Sequence, residues 1–187
     1  MESADRAPAS AELAARAARA YEAGRLRWAL QIGWVVLALV AISSVGVGLS
    51  TVSAATGALL LVAATAMRWR GGSWSAAVRT GLLAGLIPYA LLLVLKCGGG
   101  AFCSLGGCMS HCVRFCGFGG LAAGALLAAR ARRHETHVFP FLAGATLIAA
   151  LTGLISCFVG GLTGMAWMLL AELAATLPAF ALELRRR

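Results

Sequence analysis

Residues 138–159 read VFPFLAGATLIAALTGLISCFV, a run without one charged side chain. About 20 mostly apolar residues in a helix cross the hydrocarbon core of a bilayer. In lipid a lone segment must satisfy its own backbone, and a helix does so. The run therefore predicts a transmembrane helix. Working outward, five further apolar runs fall at roughly 28–48, 51–67, 80–96, 114–130 and 162–182. The fold expected is all-α: a polytopic membrane protein, a bundle of six transmembrane helices with both termini cytoplasmic. Composition agrees, since the 187 residues are 60% hydrophobic and only 12% charged. So few charges would not cover a water-soluble domain of this length.

The first run reads as an uncleaved helix. Residues 1–27 are long and acid-bearing for the leading region of a signal peptide, and the apolar run behind them exceeds a signal peptide's 7–15 residues. The domain plan is a cytoplasmic tail over 1–27, a transmembrane domain over 28–184 and a basic cytoplasmic end at 185–187.

Cations set the orientation. Arg6, Arg16, Arg19, Arg25 and Arg27 precede the first run. Arg68, Arg70 and Arg79 lie between the second and third, Arg130, Arg132 and Arg133 between the fourth and fifth, and Arg185, Arg186 and Arg187 at the end. Only Lys96 and Arg114 mark the opposite side. This is a positive-inside pattern. Trp28, Trp69 and Trp74 fit an aromatic belt at the inner face. The net charge of +9 thus reads as membrane orientation and contact with lipid, with no direct nucleic-acid binding. Expected localisation is the inner membrane of a bacterium, multi-pass.

KCGGGAFCSLGGCMSHCVRFCGFGG, residues 96–120, then falls on the outer side as a cysteine-rich loop over 97–116, and Cys157 reaches the same side. In a periplasm disulfides persist. Cys108, Cys112 and Cys116 recur every four residues, a single stripe if the fourth helix begins early, with His111 beside Cys108. Parallel Cβ vectors on one helix are poorly placed for mutual disulfides, so the stripe faces a metal or other cysteines, with Cys97, Cys103 and Cys157 as the supply. Three readings stay open: a structural clasp of disulfides, a thiol sensor of redox or metal stress, and a metal conduit. Thiolates suit Zn(II), Cu(I) or another soft metal ion, although no cofactor is certain. A conduit needs ligands continuing down the membrane, and Met165 and Met168 are too few.

His134 and His137 in RARRHETH read as a solvated inner loop. The sequence has no Ser-His-Asp set, paired carboxylates, phosphate loop or Cys-x-x-Cys pair, so no enzyme is expected. Glu172 is an intramembrane acid in the sixth run and should face protein, either as a protonated or hydrogen-bonded acid against a neighbouring Ser or Thr or as a switch or proton site. Gly81 with Gly85, Gly120 with Gly124, and Gly160 with Gly164 are small-xxx-small pairs for close helix packing. Pro88 and Pro178 lie mid-helix, where each removes a backbone hydrogen bond. In the tail, SAELAARAARAYEAG (10–24) predicts a short amphipathic helix with Ser10 as N-cap and Gly24 as stop. Leu13, Ala17 and Tyr21 share one face, which either lies on the membrane or binds a partner, and is the candidate partner-binding surface.

Taken together, the Ala/Gly-rich helices, inward tail and outward thiols resemble the NrsF-type negative regulators of sigma factors and the related CarR-like membrane anti-sigma factors. The resemblance implies a protein that sequesters an extracytoplasmic-function sigma factor and releases it when its outer thiols change state. It also implies a sensing pair: Cys157 in GLISCFVGG at the outer end of the fifth helix, and Cys112 or Cys116 near the fourth. The chain departs from the pattern in lacking the Pro and His that follow the second cysteine, and in its extra thiols at 97, 103 and 108. The alternative is a metal-handling or metal-transport membrane protein using the outer cluster.

Overall fold

The computed structural model describes residues 6–47, 51–97, 108–132, 138–157 and 161–186. Some side chains within the helices are also outside the described set, among them Trp28, Cys97, Cys108, His111, Cys112 and Cys157. Cys103, His134, His137 and Gly160 lie outside it altogether. The described residues form six helices and no strand: α1 (Arg6–Val47), α2 (Thr51–Arg70), α3 (Gly72–Cys97), α4 (Cys108–Ala131), α5 (Val138–Cys157) and α6 (Gly161–Arg186). Five of them, α2 to α6, are long and apolar enough to cross a membrane. The chain is a multi-pass membrane protein.

Its exterior is that of a protein solvated by lipid. Trp34, Val62, Val94, Phe118 and Leu162 face outward, while Gly, Ala and Thr share the contacts between helices with buried Leu60, Leu127, Phe141 and Ile148. In hydrocarbon there is no hydrophobic drive to bring helices together, so close approach of small residues supplies the packing.

α1 differs from its expected form. It is one helix from Arg6, so Ser10 lies inside it rather than at its cap, and it runs through Gly24 without stopping. One glycine in a helix costs about 1 kcal/mol against alanine. The Ala-, Arg- and Leu-rich sequence on both sides outweighs that, and Pro8 is tolerated in the first turn. The apolar part of α1 among the described residues is Leu30–Ser44, shorter than the expected run of 28–48.

Helix ends also pass beyond the apolar runs, because backbone hydrogen bonding does not stop where hydropathy falls. α2 and α3 meet at Gly71 alone, so the expected inner loop over 68–79 is a tight reversal. Gly71 and Gly72 take φ of 74° and 57°, left-handed values suited to glycine. The Gly71 amide donates to the carbonyls of Met67 and Arg68, each at 3.2 Å, closing α2. Arg68 is thereby in α2 and buried, and the partly buried Trp74 packs on α5 at Gly144. Trp69 remains exposed.

Two parallel pairs form the centre, α3 along α5 and α4 along α6. A Cβ placed on Gly81 would lie 2.5 Å from the Ala145 carbonyl oxygen, and one on Gly85 would lie 2.7 Å from that of Ala149. On the other pair, Gly120 meets the Met168 carbonyl and Gly124 that of Glu172. Two of the three expected glycine pairs are thus contact surfaces themselves, and the third includes Gly160, which lies outside the described residues. Both pairs advance in step along their partners, which makes them parallel, as a chain that reverses at every connection requires. α3 continues through Pro88, and Gly119 of α4 packs on the proline ring.

Candidate functional site

One end of the bundle gathers the cysteine positions. α3 finishes at Cys97, α4 starts at Cys108, and α5, parallel to α3, finishes at Cys157. α4 runs antiparallel to α3. Gly119 meets Pro88, and three residues earlier Cys116 clusters with Leu92, four residues later on α3. The early start of α4 places Cys108 and Cys112 two turns and one turn before Cys116 on the same helix. Sequence reading left that start open.

Cys116 is the thiol whose surroundings are described. It is 0% exposed and packs with Leu92 of α3 and Met168 of α6, with Leu154, Met165 and Leu169 around them. Its position is therefore the junction of α4 with both neighbours. A reagent in water cannot reach this sulfur until α4 parts from α3 or α6. Met165 and Met168 belong to the same apolar contact, as packing residues. Among the described residues no three His, Cys, Asp or Glu side chains come together. The side chains of the other cysteines and His111 lie outside those residues.

At the opposite side of the molecule the tail half of α1 extends with the side chains of residues 12–24 exposed. Leu13 and Tyr21 are 66% and 67% exposed, and Ala17 between them is exposed as well. Arg16 pairs with Glu12 at 2.7 Å, one turn away, which keeps that charge on its own helix.

Glu172 is 1% exposed and sits on α6 facing α5. The antiparallel register of these helices is fixed by Phe139 and Phe180, whose rings meet edge to face at 5.8 Å, and by Gly153 against Met168. Thr146 lines the same cavity as Glu172 across the α5–α6 contact, without a hydrogen bond from its hydroxyl to the Glu172 carboxyl. Thr176 donates to the Glu172 and Leu173 carbonyls, each at 3.1 Å.

Sequence reading missed a polar tie within the apolar layer. Tyr89 of α3 and Ser43 of α1 both donate to the Leu39 carbonyl, at 2.8 and 2.7 Å. The available signal was Tyr89 itself, a hydroxyl in an apolar helix, which seeks a partner when buried.

No family model, curated protein or solved structure matches the chain.

Proposed function

We propose that this protein is a bacterial inner-membrane anti-sigma factor acting without catalysis. Its cytoplasmic face holds an extracytoplasmic-function sigma factor, and chemistry at Cys112, Cys116 and Cys157 on the outer face releases it. In this reading α1 is the sixth span and both termini are cytoplasmic, as the arginine distribution supports.

One observation carries the reading: α1 is a single helix from Arg6 to Val47, with Leu13, Ala17 and Tyr21 exposed on its tail half. A helix of 42 residues is a rod of about 63 Å. Displacement of its apolar half within the bundle moves the tail with it, without a hinge at Gly24. Cys116 supports the other end of the mechanism. Its sulfur lies where α4 meets α3 and α6, so its modification requires those contacts to open, and α3 is tied to α1 through Tyr89. The device is a two-state repacking driven by a local chemical change.

The test is recovery of a sigma factor from the native host with the full chain, with residues 1–27 removed, and with Leu13→Asp or Tyr21→Asp. The full chain should retain the factor, and each variant should insert normally and lose it. Equal recovery by all of them would transfer the contact to the inner loops. Absence of any sigma factor from every sample would end the anti-sigma reading.

A further inference from the structure

Between α5 and α6 lies a cavity of about 350 Å³, lined by Thr146 and Glu172 with Leu147, Leu169, Leu173 and Phe180. Its volume is within the roughly 300–1,000 Å³ of small-molecule sites. Leu147 and Leu173 at its rim are 46% and 48% exposed, so it opens toward lipid. Thr146 and Glu172 each stand near the middle of their spans, Val138–Ile155 and Gly161–Leu182. Among the described residues, neither Oε1 of Glu172 nor Oγ1 of Thr146 makes a hydrogen bond, and both atoms are buried. No lining side chain is cationic.

An acid at mid-depth without a partner is costly, and such groups face the bundle interior or a cavity where something compensates them. Here helix packing alone does not. The neighbouring α4 presents Gly124 to the Glu172 backbone. We propose that the cavity binds an amphiphilic primary amine entering from the bilayer. The ammonium N–H groups donate to Glu172 Oε1 and Thr146 Oγ1, and the alkyl chain lies along Leu147, Leu169, Leu173 and Phe180. An amine fits because it brings both the charge and the donors that the site lacks. An anionic amphiphile would place two acids together in hydrocarbon.

The probe is dodecylamine, added to the full chain in phosphatidylcholine nanodiscs. The readout is the rate at which the apolar reagent dicyclohexylcarbodiimide consumes unmodified Glu172, followed by peptide mass spectrometry that counts the N-acylurea and any dodecylamide together as modified. Dodecylamine should slow modification about tenfold, the effect of one charge-assisted hydrogen bond, and Thr146→Val should remove most of that protection. Dodecyltrimethylammonium has the same chain and charge without N–H groups and should protect little. Glu172→Gln, which keeps the side-chain shape, should fold with an unchanged melting temperature and show no modification of the α6 peptide. Equal protection by the two ammonium probes, no protection by dodecylamine, or protection unaltered in Thr146→Val would each overturn the assignment.

Discussion

The Tyr89 hydroxyl donates to the Leu39 carbonyl at 2.8 Å, joining α3 to α1 inside the apolar layer. Ser43 donates to the same oxygen at 2.7 Å, and the two hydroxyl oxygens lie 3.1 Å apart. Each hydroxyl has one proton and the carbonyl has two lone pairs, so all three groups are satisfied together. Tyr89→Phe removes both contacts that link the helices, the bond to the Leu39 carbonyl and the 3.1 Å approach to the Ser43 hydroxyl. It should cost about 0.6 to 1.7 kcal/mol, the range for hydrogen bonds between membrane helices. Steric-trap unfolding in bicelles measures this. Unchanged stability would mean that apolar packing alone holds α1.

Glycine substitutions should divide by position. At Gly85 an added Cβ would lie 2.5 Å from the Thr152 Cβ and 2.7 Å from the Ala149 carbonyl oxygen, so α3 and α5 must separate. Gly85→Ala is expected to lose about 1–3 kcal/mol by overpacking. At Gly24 nothing lies within 4 Å. Gly24→Ala should gain about 0.5–1 kcal/mol of helix stability and raise the helical signal of the tail. The same unfolding assay with circular dichroism reads both, and equal effects at the two sites would contradict the packing of α3 on α5.

Thiol accessibility should separate Cys116 from an exposed cysteine. A membrane-impermeant maleimide should leave Cys116 unmodified in the folded protein and label it fully in denaturing detergent. Rapid labelling of the folded protein would remove Cys116 from the α3–α4–α6 junction. For signalling, Cys157→Ser should lock the output in one state at normal protein levels. A normal response of that variant to metals and oxidants would eliminate Cys157 from the sensing pair.

Sidedness has its own measurement. Alkaline phosphatase fused after Ser104 should be active, and after Arg133 inactive. The reverse pattern would place the thiol end of the bundle in the cytoplasm and remove the basis for periplasmic sensing.

Much of this architecture follows from local chemistry, and local chemistry is what a sequence displays. An uncharged run such as 138–159 must satisfy its own backbone in lipid, so its helical state needs no knowledge of its neighbours. Glycines four residues apart mark a face for close approach before the partner is known, and Gly81, Gly85, Gly120 and Gly124 all lie at such contacts. Glu172 had to face protein because lipid would not solvate it. Hydropathy did not locate the ends. It measures transfer to lipid, whereas a helix ends where its backbone finds a cap, as at Gly71, or continues through a weak breaker, as at Gly24.

The sequence by itself determined that the chain is helical, that it crosses a membrane several times, and which glycine faces pack. Tertiary structure alone decided which faces meet. That α3 pairs with α5 and α4 with α6 depends on parallel helices separated in the chain by an intervening helix, a relationship no local pattern encodes. The same long-range choice buries Cys116 between Leu92 and Met168 and brings Tyr89 to Leu39. It also sets Thr146 across a cavity from Glu172. Burial and partnership are properties of the assembled bundle, because each needs atoms supplied by a helix far away in the sequence.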